Sequence, residues 1–309
     1  MNVSAPSLNT TSEKKRTVSV GLPVYNGAEF LGQAIESILA QDLGDLELII
    51  SDNASTDETP DICANYAAAD ERVSYVRHTE NLGAAKNYNH VFHLSSAPYF
   101  KWAAHDDLMK PQFLTRCVEA FERQQTLPSL IYPRSEFIDS DNKVLYPDRN
   151  SMHTTSPAAA VRLHRAVQAM GLVTAVFGLF HRETLARTQL IGTYVASDYV
   201  LLLECALLGP VIHLDGEPLF QRRIHEKMSR QANRSDEEVL RWFDPKASKE
   251  KLSSRQRLRR EFIKAIYRSD NLSAVEKPVC VATLFGSQTF RRVRVTGGRW
   301  RRKIRGESA

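Results

Sequence analysis

Two carboxylates on consecutive residues, Asp106 and Asp107, follow the run Tyr99-Phe100-Lys101-Trp102. The aromatic run suits a pleated, mostly buried strand, so the pair stands where that strand stops. In open α/β sheets the carboxyl edge of the strands is where ligands bind. Like charges side by side repel, and a hard divalent cation is the usual partner for such a pair. A plainer reading stands beside it: a solvated turn ahead of a helix opening at Pro111, with both aspartates near its N-terminus.

The elements ahead of the pair decide between these readings. Thr17 to Leu22 is a β-rich run that ends at Pro23, followed by the loop signal Val24-Tyr25-Asn26-Gly27 and a helix with Phe30, Leu31, Ala34, Ile35, Ile38 and Leu39 on one face. Leu46 to Ser51 is a continuous apolar strand of the kind buried on both faces of a parallel sheet, and it ends on Asp52-Asn53. Ser55 and Glu58 have capping-box spacing for a helix carrying Ile62, Cys63 and Tyr66. Val73 to Val76 is a third strand, and Asn81-Leu82-Gly83 opens a helix with Tyr88, Val91 and Phe92. Four alternations of strand and helix argue a parallel, right-handed α/β sheet. Tyr25-Asn26, Asp52 and Asp106-Asp107 then gather at one edge of it.

Neither G-x-G-x-x-G nor G-x-x-x-x-G-K-[ST] occurs in the chain, which argues against a dinucleotide oxidoreductase and a P-loop enzyme. A nucleotide bound at this edge would need its phosphates neutralised by a metal on the aspartates. Tyr25 could stack on its base, and Asp52 could accept a hydrogen bond from the base's ring N–H. The chain has 309 residues, 42% of them hydrophobic, enough for one large core with or without an appendage. Cys63, Cys117, Cys205 and Cys280 have no metal-ligand spacing and read as buried small hydrophobes in a reducing compartment. Residues 1 to 16 lack the apolar core of a signal peptide, and the longest apolar runs fall short of a membrane span. A soluble, cytoplasmic protein is expected.

Four motifs in order, Pro23-Val24-Tyr25-Asn26, Ser51 to Asp57, Asn81-Leu82-Gly83 with Asn87, and His105-Asp106-Asp107, resemble the family 2 glycosyltransferases of GT-A fold. The resemblance is close over residues 17 to 115 and looser to about 230. It implies inverting transfer of a sugar from a nucleotide-diphosphate donor with a divalent metal, manganese or magnesium. Position by position, it implies that Pro23 and Tyr25 line the base pocket, with Asn26, Asn81 and Asn87 in the same nucleotide-sugar site. Asp52 would bond the base, Asp106 the ribose or sugar, and Asp107 the metal. Many members carry a further acid where this chain has Ala104, which leaves Asp107 more alone. For Asp52 a loop acid ahead of a helix cap remains the alternative, and for Tyr25 plain packing on the first helix.

In the second half, Ser129 to Pro133 reads as a strand, Glu136 to Leu145 as a hairpin, Ala158 to Met170 as a helix, and Leu172 to Phe180 as a buried strand lining the acceptor side. The family's catalytic base falls on Asp198, preceded here by Ser197. Two readings compete for it, base or first-turn helix acid behind an N-cap. Arg222-Arg223-Ile224-His225 resembles the family's Arg-x-His segment, so His225 completes the metal site or holds a phosphate, or is simply a satisfied polar residue.

Past residue 235 the composition turns helical and basic. Residues 291 to 305 carry eight Arg and Lys with Val293, Val295, Trp300 and Ile304 between them. A solvated tail, an anionic membrane-surface anchor and nucleic-acid contact all fit, the interleaved apolar residues favouring membrane over a bare charge run; no nucleic-acid partner is expected. The sequence thus predicts an N-terminal tail over 1–15, disordered; a GT-A α/β domain with a mostly parallel central sheet over 16–232; and a helical, basic extension over 233–309. The function expected is metal-dependent glycosyl transfer to a glycan or lipid-linked acceptor in cell-surface polysaccharide or glycolipid synthesis, at the inner face of the plasma membrane. A non-catalytic nucleotide-sugar or glycan-binding protein of the same fold is the competing reading.

Overall fold

The computed structural model describes residues 16–171, 174–226, 235–246 and 253–304; the tail expected over 1–15 lies outside them. The first half alternates as the apolar runs predict: β1 (Val18–Val24), α1 (Ala28–Leu39), β2 (Leu46–Asp52), α2 (Thr59–Ala69), β3 (Val73–Arg77), α3 (Ala84–Leu94) and β4 (Tyr99–Trp102). β1 is buried at all seven positions and pairs in parallel with β2 on one side and β4 on the other. Large apolar residues, Val18, Val20, Leu22 and Val24, alternate with the small or cyclic Ser19, Gly21 and Pro23, and both faces are covered. Helix α1 turns Phe30, Leu31, Ala34, Ile35 and Ile38 into the core, the spacing of one helical face. The capping box expected of Ser55 and Glu58 is not made: Glu58 itself is the N-cap of α2 and bonds no backbone amide there.

The chain then leaves the large sheet. β5 (Leu108–Met109) precedes α4 (Phe113–Glu122), β6 (Leu130–Pro133), β7 (Ser135–Ile138) and β8 (Val144–Pro147). Next come α5 (Ala159–Ala169), a 3₁₀ turn at Thr174–Phe177, β9 (Leu179–His181), α6 (Arg182–Ala186), α7 (Ser197–Leu208), β10 (Val211–Leu214) and β11 (Phe220–Arg223). The large sheet has the order β10-β6-β9-β4-β1-β2-β3, and a small sheet the order β5-β11-β7-β8. Only β9 runs against its neighbours β4 and β6 in the large sheet. The hairpin expected around Asn142 forms as β7 and β8, with Asn142 in the left-handed region at φ 66°.

The long strand expected over Leu172 to Phe180 is replaced by the 3₁₀ turn and the three residues of β9; residues 172–173 lie outside the described residues. Gly178 marks the break. A Cβ there would stand 2.6 Å from Leu130 Cδ1 and 2.8 Å from the Tyr132 Cβ, so the chain turns against β6 where only glycine fits.

Beyond residue 235 lie α8 (Asp236–Phe243), α9 (Ser254–Arg268) and α10 (Glu276–Ile304). Capping boxes at Ser235/Glu238 and Ser253/Gln256 open the first two. The boundary expected at 232/233 is a change of composition and not of core: Phe262, Ala265, Ile266, Cys280 and Leu284 share one apolar cluster with Leu163 and Val167 of α5 and Val200, Leu203 and Leu207 of α7. All four cysteines are free and buried. No helix among the described residues is long and apolar enough to cross a membrane.

Glu204 sits in the buried stretch of α7, 6% exposed. Its Oε2 accepts from the Gln189 amide at 2.9 Å, and Arg268 stands 3.8 Å away. Burial pushes its carboxyl up to about 7 despite these partners. A carboxyl raised on folding binds its proton more tightly in the native state, so stability is lost as pH climbs from the unfolded pKa to the folded one. Glu204→Gln keeps an acceptor for Gln189 and removes the charge. Thermal melts should therefore find the variant indistinguishable from the parent at pH 4. At pH 8 it should be more stable, by an amount approaching roughly 3 kcal/mol.

Candidate active site

The loops that follow β1, β2 and β4 and the start of α3 surround a cleft of about 1050 Å³ at the carboxyl edge of the large sheet. The β1–α1 and β2–α2 loops are sewn together by three consecutive amides. Asn26 N–H donates to Ser55 Oγ at 2.9 Å, Gly27 N–H to Thr59 Oγ1 at 3.0 Å, and Ala28 N–H to Asp57 Oδ2 at 3.1 Å. The first of these is answered by the Thr56 amide donating to Asn26 Oδ1 at 2.8 Å. Asn26 takes φ 49° to do so. Ser55, Asp57 and Thr59 thus fill the orphan donors at the head of α1. Gly27 allows His105 to close on this loop, since a Cβ there would lie 2.5 Å from the imidazole.

Pro23, Tyr25, Asn26, Asn81, Asn87 and Asp106 all line the cleft, as the sequence suggests. Asp52 does not. It is fully buried, with Oδ1 accepting from the Ser55 amide at 2.8 Å and Oδ2 facing the Tyr75 hydroxyl at 3.1 Å and Arg77 Nε at 3.3 Å. The sharp turn at Ala54, φ 63°, points Asp52 inward, and it is the next residue, Asn53, that lines the cleft. Asn53 Nδ2 donates to Asn81 Oδ1 at 2.9 Å, and its own Oδ1 accepts from the Leu82 amide at 2.8 Å. Asn87 is held just as firmly: Nδ2 donates to the Ser51 carbonyl at 2.9 Å, and Oδ1 accepts from Ser51 Oγ at 2.6 Å. These amides fix the end of β2 to the start of α3. Asx-type clamps of this kind set loop geometry before any ligand arrives.

The acid pair sits between the two sheets, and β11 comes up beside it. Arg223 N–H donates to Asp107 Oδ1 at 2.9 Å, and its Nε donates to the Asp106 carbonyl at 2.9 Å. The rest of that guanidinium reaches the carbonyls of Asp139 and Ser140 at 2.8 and 3.1 Å and Gln33 Oε1 at 3.1 Å, stacked 4.5 Å over Phe30. Arg223 is 1% exposed and built into the wall. Its neighbour Arg222, on the other face of the strand, opens onto the cleft.

His225 Nε2 lies 2.9 Å from Asp106 Oδ2, its ring edge-on to Phe30 at 4.9 Å. It therefore pairs with Asp106. Among the described residues no three His, Cys, Asp or Glu side chains form a preformed metal cage.

The pair is electrostatically split. Burial and the adjacent Asp106 charge push the Asp107 carboxyl up, with Arg222 and the Arg223 amide pulling the other way. Burial acts on Asp106 too, but the hydrogen bond from His225 and the charges of His105 and His225 outweigh it and hold Asp106 low. Tyr88, on the cleft wall, has its phenol pushed up by burial and by both aspartates.

Asp198 lies in the first turn of α7, whose N-cap is Ala196 at φ 64° with no side-chain cap bond. Because β10 runs parallel to β6 and starts just after α7, the helix climbs roughly 18 Å from that far edge back to the carboxyl edge. Asp198 thus stands at the same edge as the cleft but is not among its lining residues.

Ser235 to Asp244 reads as a helix in the sequence, and α8 bears this out; that it docks on the cleft is not legible there. Glu238, Arg241 and Trp242 from this helix line the cleft opposite Tyr25, and both aromatics stay half exposed, 36% for Trp242 and 44% for Tyr25. Its capping box marks a helix in the sequence, but nothing local says where that helix docks. Gly83 supplies the seat: at φ +85°, its missing Cβ leaves room for the Phe243 carbonyl, which a Cβ would meet at 2.4 Å.

An open, mostly parallel sheet with an acid pair at its carboxyl edge and aromatics over the cleft defines a GT-A-type nucleotide-binding fold. Residues 19–170, about half of the chain, match the model described as glycosyl transferase family 2. An uncharacterised glycosyltransferase of Rickettsia typhi is 29% identical over 213 residues, 68% of this chain and 64% of that protein; the chain thus spans less than two thirds of that relative. The putative teichuronic acid biosynthesis glycosyltransferase TuaG of Bacillus subtilis is 30% identical over 143 residues, 43% of this chain and 57% of that one. In fold the chain is similar to S. aureus TarS 1–349 in complex with UDP-GlcNAc, with TM-score 0.64 and 14% identity over 88% of this chain and 72% of that one.

Gly83→Ala should cost more than about 1 kcal/mol, since alanine at positive φ is strained and its methyl group strikes the Phe243 carbonyl. Hydrogen exchange across residues 236–243 should speed up more than exchange in β1. Unchanged protection of α8 would mean that Gly83 does not seat it.

Proposed function

We propose that this chain transfers a sugar from a nucleotide-diphosphate donor to an acceptor hydroxyl, in the assembly of a cell-surface polysaccharide or glycolipid at the cytoplasmic face of the membrane. The single observation that carries the reading is the Asp106–Asp107 pair, braced by Arg223 and His225, opening on a cleft large enough for a nucleotide sugar. The family match and the teichuronic acid relative support the class of product.

In this reading Tyr25 and Trp242 give flat faces for the base or sugar, and Asn53 is the polar group nearest the place first expected of Asp52. Asp52 acts behind it, holding the 53–56 loop. Arg222 and Arg241 face the diphosphate. They meet an excess of cleft acids (Glu29, Asp57, Glu58, Asp106, Asp107 and Glu238), so a dianionic diphosphate needs further positive charge. The residues fit a manganese or magnesium ion of the kind bound by one or two carboxylates plus substrate phosphates, not by an all-protein cage. Asp107 and Asp106 would hold it, with His225 orienting Asp106 or joining as a ligand. Such an ion, when bound, supplies charge neutralisation at the leaving diphosphate.

Inverting transfer is a single displacement. The acceptor oxygen forms the new bond to the anomeric carbon as the bond to the diphosphate oxygen breaks, and the electron pair leaves with the diphosphate. The hydroxyl proton must go to a base on the opposite side. Asp198 is that base in this reading: it lies at the carboxyl edge, on a segment far from the acid pair in sequence.

Asp107→Asn keeps the acceptor for the Arg223 amide and removes the charge. It should fold normally and lose transfer from nucleotide sugars in the presence of manganese. Retained, metal-stimulated turnover would remove Asp107 from the mechanism. Asp198→Asn should bind donor with unchanged affinity, measured by calorimetry, and turn over ~10²–10⁴-fold more slowly. Full activity in this variant would send the search for the base to Glu238 or Glu58 on the cleft wall.

A further inference from the structure

Over Cys280 to Phe290, helix α10 packs through one face. Cys280, Leu284 and Ser287 are buried against α5 and α9, and Ser287 is tied down twice: His164 Nδ1 lies 2.8 Å from its Oγ, and Gln168 Nε2 donates to its carbonyl at 2.9 Å. The opposite face is apolar and open to water. Val275 just ahead of the helix is 76% exposed, Val279 50%, Phe285 37% and Phe290 58%, with Ala282 and Gly286 exposed between them. At 3.6 residues per turn these positions form a single stripe. From Pro278 to Phe290 the sequence contains no charged residue. A water-facing helix face normally carries charge, so this one is unusual.

Beyond Phe290 the same helix runs on to Ile304, and the sequence turns strongly basic: seven of residues 291–304 are Arg or Lys and none is acidic. Helix α9 adds to the rim. The Arg259 guanidinium lies 4.8 Å over the Phe285 ring, Arg255, Arg260 and Lys264 are exposed beside it, and Tyr267 is 56% exposed. Over residues 253–304 fourteen basic residues stand against Glu261, Asp270 and Glu276 alone, a surplus of eleven. The whole chain is only +5, so everything else sums to a net negative charge.

We propose that the exposed face of α10, with the basic rim of α9 and the 291–304 stretch, docks flat on an anionic lipid surface. The apolar stripe would sit at the headgroup–acyl boundary and the arginines among the lipid phosphates, the geometry of an in-plane amphipathic helix. No helix among the described residues is apolar enough to span instead. A second copy of the chain is a poor occupant, because pairing this face with itself brings two uncompensated basic stretches together. Nucleic acid accounts for the charge but not for Val275 and Val279, which offer nothing to a phosphate or a base. The negative remainder of the molecule is repelled by the same surface, so the protein would approach it in one orientation. Helix α9 packs on α7, the helix that opens on Asp198, so docking would bring the acceptor edge near lipid-linked acceptors. The docking inference does not rest on the transfer reading, and the two fail separately.

The test is co-sedimentation of the full chain with phosphatidylcholine vesicles, with and without phosphatidylglycerol, at low and high salt. The parent should bind only the anionic vesicles, more weakly as salt rises. The combined variant Val279→Ser, Phe285→Ser, Phe290→Ser should reduce binding at least about tenfold and abolish what survives high salt, since the stripe supplies the salt-independent part. Arg299→Glu, Arg301→Glu, Arg302→Glu should lose the low-salt part. Val279, Phe285 and Phe290 are exposed and none of the six positions is among the cleft's lining residues, so melting temperature and nucleotide-sugar binding should stay as in the parent. Equal binding to neutral vesicles, no binding by the parent, or an undiminished serine variant would each overturn the proposal. So would a concentration-dependent dimer that the serine variant dissolves, or duplex DNA displacing the vesicles at equal charge.

Discussion

The chain passes from the large sheet to the small one within five residues, between Trp102 at the end of β4 and Leu108 at the start of β5, and it carries two negative charges through that crossing. Two adjacent carboxylates withdrawn from water are costly unless the surroundings compensate them. Much of the local architecture is that compensation. β11 lies between β5 and β7 and brings one backbone amide to Asp107 and one guanidinium to the Asp106 carbonyl. Two residues further on, His225 meets the Asp106 carboxylate. The Arg223 amide and His225 are the partners of the two carboxylates, so the placement of β11 and that of the acid pair depend on each other. The pair opens onto the cleft beside Arg222 and Tyr88.

A second buried cation works at the same crossing. Lys101 of β4 is fully buried, donating to the carbonyls of Trp102 and Phe177, with the rings of Phe113 and Phe220 at 4.4 and 5.0 Å. Burial lowers its pKa to about 7, which the Asp107 charge opposes. Lys101 and Arg223 flank the acid pair from the large and the small sheet. Both are held by carbonyl oxygens and aromatic faces, not by a carboxylate of their own. Neither neutralises the pair directly, yet both put positive charge behind it. That arrangement leaves the front of the pair free for a ligand.

Much of the frame was legible in the sequence, because β1, β2 and β4 are apolar runs long enough to be told from loops and each ends on a polar group. The edge to which Tyr25, Asn26, Asn81, Asn87 and Asp106 come follows from that alternation. What was not legible depended on single backbone torsions and on partners distant in the chain. Asp52 and Asn53 are adjacent, and which one faces the cleft is decided by the left-handed turn at Ala54. Arg222 and Arg223 are likewise adjacent; strand alternation separates them, but only the register of β11 says which goes in. Lys101 in an aromatic run looks like a solvent-facing break in the strand, and its burial depends on carbonyls and rings from α4, β11 and the 3₁₀ turn. The family resemblance located the acids and left these choices open.

The loops around the cleft follow one rule, and it explains why so many short polar residues sit in the first hundred. Ser55, Asp57 and Thr59 accept from three consecutive amides at the head of α1, Asn53 and Asn81 bond each other and the start of α3, and Asn87 holds the ends of β1 and β2. Each of these bonds ties one loop to another, so a loop that moved alone would leave donors or acceptors unpaired. A ligand entering such a cleft finds its walls already ordered and loses little entropy in ordering them. α8 stands outside this network: it is seated by the close approach of Phe243 to Gly83 and by an exposed ion pair between Lys246 and Glu80 at 2.8 Å. Exposed ion pairs hold weakly. The cleft therefore joins three walls tied by polar bonds to a fourth, carrying Arg241 and Trp242, whose Phe243 packs on the apolar cluster that holds Ala85, Val91 and Phe92 of α3.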